Sequence, residues 1–218
     1  MSSVIVTVAF GLAGALVGPI LALTSTRLPQ AEPEPKARAR LRVIGFILGA
    51  IAVGLWAAAS RDLVSAMLLT AVLGWMLLLI AVVDAEHFWL PDQLTLPLAA
   101  AGLGAAILPG GTGLLNAVIG AAAGFAGLWL LAFGYRTLRG REGLGGGDPF
   151  LLAAGGAWVG WIGLPSVLLW AAASGLSLVV ARALLRKPLA GDDRLPFGVF
   201  LAIGVWMTWQ FGPVGLWR

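Results

Sequence analysis

The chain has no cysteine and one histidine, and only 11% of its 218 residues are charged. Without thiols, disulfides and thiolate metal sites are excluded, and nothing about redox compartment follows from cysteine usage. The scarcity of charge excludes more. Soluble domains are roughly 25% charged and 45–50% apolar, whereas 60% of this chain is hydrophobic and its mean hydropathy is +0.95. A water-soluble globule is ruled out. Uncharged apolar runs of at least about 18 residues read as transmembrane helices, and such runs make up most of the chain. The 31 glycines follow no collagen-like period, and in an apolar chain they fit close helix packing in lipid.

Breaking the apolar runs at charge, Gly and Pro predicts an all-α, polytopic membrane helix bundle of eight spans. They fall at about 4–24, 43–60, 63–83, 94–108, 114–135, 150–163, 166–185 and 196–211. Because the fourth and sixth are short for a hydrocarbon core of about 30 Å, seven is the alternative count. Cytoplasmic loops retain Lys and Arg. Alternate loops hold twelve (Arg27, Lys36, Arg38, Arg40, Arg42, Arg136, Arg139, Arg141, Arg182, Arg186, Lys187, Arg194) against two (Arg61, Arg218). The first group is therefore expected in the cytoplasm, and the net charge of +4 reflects topology, not nucleic-acid binding. The first run is too long for the apolar region of a cleaved signal peptide and is expected to remain as a helix. Residues 27–42, with three prolines among charges, read as a short solvated cytoplasmic linker within a single transmembrane domain, 1–218. Three Gly-x-x-x-Gly pairs, Gly14/Gly18, Gly120/Gly124 and Gly156/Gly160, place small residues on one helix face. They suit close backbone approach, although chance explains them equally well in so Gly-rich a chain.

Acidic residues near membrane depth are functional candidates. Five of the ten fall in two loops: Asp84, Glu86 and Asp92 after the third span, Glu142 and Asp148 before the sixth. Asp84 ends a strongly apolar helix, where the C-terminal dipole disfavours a carboxylate, so another interaction must justify it unless it merely marks the water boundary. Asp148-Pro149 has the order of an N-cap and first helical residue. Capping does not explain the four glycines in the five residues before Asp148, which suggest a flexible or closely approached backbone next to the carboxylate. Nucleotide binding is discarded, since no P-loop spacing or lysine follows. If helices three and six pack together, Asp84 and Asp148 face each other. Two close carboxylates share one proton, so one can deprotonate a water while the other protonates a scissile amide. A zinc site from Asp84, Glu86 and His87 would lack a second histidine.

At these residues the sequence resembles the type IV prepilin peptidases, membrane aspartyl proteases that also process pseudopilins of type II secretion. Asp84-Ala-Glu-His-Phe-Trp-Leu-Pro-Asp92-Gln-Leu-Thr-Leu-Pro97 matches the stretch opened by the family's first catalytic Asp. Gly145-Gly-Gly147-Asp148 matches its Gly-x-Gly-Asp motif, and similarity extends to 11–29 and to Pro196-Phe-Gly-Val-Phe-Leu-Ala. The resemblance implies that Asp84 and Asp148 are the catalytic pair, with Glu86, Leu90, Pro91, Asp92, Gly145 and Gly147 as supporting positions. It implies no metal and no cofactor, prepilin or pseudopilin substrates, and a multi-pass protein of the bacterial inner membrane with its site facing the cytoplasm. Phe150 stands where many relatives have Lys. The linker 27–42 replaces a zinc-binding insertion linked to N-methylation, so a peptidase without N-methyltransferase activity is expected. Two rivals are an inactive assembly scaffold and an ion-coupled transporter. A transporter calls for carboxylates well inside the spans, whereas these lie at span ends.

Overall fold

A computed structural model describes residues 2–27, 35–109, 111–140, 145–185 and 195–215. Among them the fold is all-helical and of the membrane type: α1 (Ser2–Arg27), α2 (Lys36–Ser60), α3 (Val64–His87), α4 (Asp92–Ala106), α5 (Leu114–Arg139), α6 (Asp148–Leu184) and α7 (Phe197–Phe211). Five of these, α1, α2, α3, α5 and α6, are long and apolar enough to cross a bilayer. Large apolar side chains such as Leu16, Leu115 and Leu138 stand exposed along them, as expected where lipid is the solvent. The chain divides into two compact units, Met1–Val82 and Val83–Arg218.

In the first unit α1 and α2 pack through glycine. A methyl group at Gly14 would fall on the Ala50 carbonyl, one at Gly18 would stand 2.5 Å from Ile47 Cα, and one at Gly54 would fall on the Phe10 carbonyl. Trp75 of α3 donates its indole N–H to the Ala50 carbonyl at 2.9 Å. The α2 helix begins at Lys36, so the second half of the expected linker 27–42 forms its first two turns. Arg42 there donates to Ser25 Oγ at 3.5 Å. Residues 28–34 of that linker lie outside the described residues.

In the second unit α6 is the central element. Methyl groups at Gly120 and Gly156 would each collide with the other residue's carbonyl, and one at Gly124 would stand 2.6 Å from the Leu152 carbonyl, so α5 and α6 touch backbone to backbone. Trp158, fully buried, donates its indole N–H to the Leu98 carbonyl of α4 at 2.9 Å. It also meets Trp209 of α7 edge to face at 5.5 Å.

The expected sixth and seventh spans form as two helical segments of α6, 148–159 and 161–184, joined without a loop at Gly160 and not at the expected 163–166 boundary. Gly160 has φ 72° and ψ 172°, a conformation essentially reserved for glycine. There the chain reverses. Before it, Gly155 and Trp158 pack on Val205 and Trp209, in step with α7; after it, Gly163, Val167 and Gly175 pack on Thr208, Gly204 and Phe200, in the opposite order. Gly156 thus serves packing as its motif suggested, while Gly160 serves the turn.

Candidate active site

The reversal sets the first segment of α6 parallel to α7 and antiparallel to α5. The starts of α6 and α7 and the end of α5 consequently gather at one end of the second unit. The last turn of α3 and the connection to α4 supply the rest of the site. Asp84 and Asp148 are 4% and 3% exposed, far below what carboxylates accept without partners.

Asp84 sits in the last turn of α3. Phe88 ends that helix in a left-handed conformation, φ 51°, with its N–H donating to the Asp84 carbonyl oxygen at 2.9 Å; for a non-glycine residue this costs roughly 1–2 kcal/mol. The partner that the sequence demanded for the Asp84 side chain comes from α7. Val199 donates its backbone N–H to Asp84 Oδ2 at 3.0 Å and to the Pro196 carbonyl at 3.2 Å. In the first turn of α7 it has no acceptor four residues back within the helix. A carboxylate disfavoured by the C-terminal dipole of α3 is accommodated by the N-terminal dipole of α7.

Asp148 departs from the expected N-cap. It is the first residue of α6, the capping position is held by Gly147, and no side chain caps the helix. The carboxylate instead turns back to the glycine loop. Gly145 donates its N–H to Asp148 Oδ2 at 2.8 Å, and Asp148 donates its own N–H to the Gly145 carbonyl at 3.2 Å. This reciprocal pair closes the turn 145–148 and fixes the side chain.

Leu90 joins the two halves. A methyl group at Gly147 would stand 2.6 Å from Leu90 Cβ, and one at Gly198 would stand 2.9 Å from Leu90 Cδ1 and 2.8 Å from Asp84 Oδ2. One buried side chain therefore touches the residue before Asp148 and the residue that seats Asp84. Leu90 thereby places the loop that holds Asp148 beside the turn that seats Asp84. Asp84 is seated by α7 and Asp148 by its glycine loop, with Leu90 between them. Pro91, fully buried, starts α4 with extended backbone.

Two of the remaining expected positions are exposed. Glu86 Oε2 lies 3.9 Å from His87 Nε2. Asp92 is exposed in the first turn of α4, where it favours the helix dipole. Glu142 lies outside the described residues. Phe150 packs edge to face on Phe125 of α5, centroids 5.0 Å apart. Among the described residues no three His, Asp or Glu side chains gather as metal ligands. Gly198 and Val199 were not singled out from sequence, although their stretch belongs to the matched Pro196–Ala202 segment.

The pattern of the type IV leader peptidase family matches residues 71–180, half of the chain and both aspartates. A prepilin leader peptidase/N-methyltransferase of Aeromonas hydrophila is 41% identical over 162 residues, 74% of this chain and 54% of that protein. Proteins of the same description from Burkholderia pseudomallei (strain 1026b) and Dichelobacter nodosus are 45% identical over 136 residues and 41% over 139, covering 62% and 63% of this chain and 44% and 46% of theirs. The chain spans about half the length of the curated relatives it matches. No solved structure matches it. With half of the chain matched, this protein belongs to the type IV leader peptidase family.

Proposed function

We propose that the protein is an aspartic endopeptidase that removes the basic leader of type IV prepilins or pseudopilins at the cytoplasmic boundary of the bacterial inner membrane, without N-methylating the product. The observation that carries this reading is the convergence of Asp84 and Asp148 on Leu90, each carboxylate held through Oδ2 by backbone N–H groups of a separate element. A carboxylate accepts about four hydrogen bonds, so both keep lone pairs for water and substrate.

In this reading the pair shares one proton. The ionised member takes a proton from a water whose oxygen adds to the scissile carbonyl carbon, while the protonated member gives its proton to the carbonyl oxygen. Proton transfer to the amide nitrogen then releases the leader as a carboxylic acid and the mature chain as an amine. Burial of both groups, and donors fixed before substrate arrives, suit a reaction whose charge shifts between two sites.

Placement at the cytoplasmic face is supported by Arg136 and Arg139 in the last turn of α5 and Arg182 in the last turn of α6. All three lie at the end of the second unit that holds the aspartates, the arrangement expected of a cytoplasmic side. Absence of methyl transfer is supported by a segment 27–42 without cysteine, half of it taken up by α2. Co-expression with a prepilin, read as a mobility shift of the substrate, tests the peptidase reading. An unprocessed substrate alongside stably inserted protein overturns it and favours the scaffold.

A further inference from the structure

Gly198 is the second residue of α7 and lies 2.8 Å, measured from a Cβ built upon it, from Asp84 Oδ2, 2.9 Å from Asp84 Cγ and 2.9 Å from Leu90 Cδ1. A side chain here has nowhere to go. The α7 helix cannot withdraw, because a methyl at Gly204 would already collide with the Val167 carbonyl and one at Gly155 with Val205 Cγ2. Leu90 can turn only its Cδ1 aside, since its Cβ is held beside Gly147. That leaves the two contacts with the Asp84 carboxylate, at Oδ2 and Cγ, so the carboxylate must turn, and turning breaks its hydrogen bond from Val199.

We infer that Gly198 is the positioning residue for Asp84: its missing side chain forms the seat in which the carboxylate rests against the first turn of α7, in register with Asp148. The inference rests on the reading of Asp84 as one of the catalytic pair. Gly198 touches neither water nor substrate in this scheme and acts only through Asp84. Misplacing a reacting group by about 1 Å costs as much as 10²-fold in rate, so the seat contributes to turnover and not to substrate binding.

The test uses the full chain in liposomes with a purified prepilin, comparing wild type with Gly198→Ala and with Gly104→Ala, whose site has nothing within 4 Å. Gly198→Ala is expected to lower kcat about tenfold or more with KM within about twofold, while Gly104→Ala matches wild type. A readout independent of activity is coupling of a glycine ester to carboxyl groups by water-soluble carbodiimide, followed by peptide mass spectrometry. Coupling at Asp84 should rise in Gly198→Ala while coupling at Asp148 stays constant. Wild-type kcat with unchanged coupling at Asp84 overturns the inference, as does a rise at both aspartates alike, which marks general loosening. A selective rise at Asp84 in a protein that cleaves no prepilin even as wild type upholds the seat and sinks the peptidase reading. If Gly198→Ala does not insert, the double variant Leu90→Ala/Gly198→Ala is read in the same way, since it removes the conflict with Leu90 and keeps the one with the carboxylate.

Discussion

The backbone N–H of Val199 donates to Asp84 Oδ2 at 3.0 Å, joining residues 115 positions apart and binding the last turn of α3 to the first turn of α7. Two helix ends complete one another: α3 presents a carboxylate at its negative end, and α7 presents first-turn N–H groups at its positive end. The catalytic proposal inherits this geometry, because the bond orients Asp84 before any substrate binds.

Asp84→Asn and Asp148→Asn are each expected to lower leader removal by about 10²-fold or more, the usual contribution of a proton-transferring group. A carboxamide accepts the Val199 or Gly145 N–H through its oxygen, so insertion and abundance should hold. Mobility shift of co-expressed prepilin, with immunoblotting of the membrane fraction, measures both. Near wild-type processing by either variant refutes the pair.

Glu86 and Asp92 are exposed, unlike the buried pair, so they are expected to act on a basic leader only through screened attraction, about 0–1 kcal/mol per contact. Glu86→Gln combined with Asp92→Asn should raise KM by no more than about tenfold at low salt, with kcat unchanged and the effect fading as salt rises. A fall in kcat would instead place one of them in the chemistry.

Three glycines separate space from conformation. Gly156→Ala drives a methyl into the Gly120 carbonyl and is expected to cost about 1–3 kcal/mol. Gly160→Ala meets nothing closer than Asn116 Cβ at 3.6 Å, yet its φ of 72° should cost a similar 1–3 kcal/mol, about the penalty of a residue held in a sparsely populated region. Gly104→Ala, helical and uncrowded, should stabilise by about 0.5–1 kcal/mol. Thermal unfolding in detergent micelles orders the three, and a neutral Gly160→Ala would contradict the chain reversal.

Pilin processed by this protein alone, with S-adenosylmethionine present, is expected to carry a free N-terminal amine. A methyl donor needs a pocket that aligns its sulfonium carbon with that amine, and the cysteine-free segment 27–42 offers no zinc-stapled loop to build one. Intact-mass spectrometry decides the matter: a gain of one methyl group at the N-terminus shows that helices or other loops form the donor site.

Composition and local chemistry determined the fold class, because apolar runs of transmembrane length have one stable backbone solution in lipid. They also marked Asp84 and Asp148, since carboxylates beside apolar helices stand out against an almost uncharged background, while the glycines before Asp148 left open a flexible or a closely approached backbone, and the Gly145 hydrogen bond is of the second kind. Local rules went astray where distant chain intervenes. The Asp148-Pro149 order reads as a cap, but the Gly145 N–H offered the carboxylate a better partner. The pair Gly156/Gly160 reads as one packing motif, and both members meet α5, but Gly160 also turns the chain, a matter of backbone dihedral that composition does not encode. Tertiary structure alone decided that α7 completes the site: a glycine's missing side chain matters only where another residue fills its place, and for Gly198 that residue is Asp84, more than a hundred positions away.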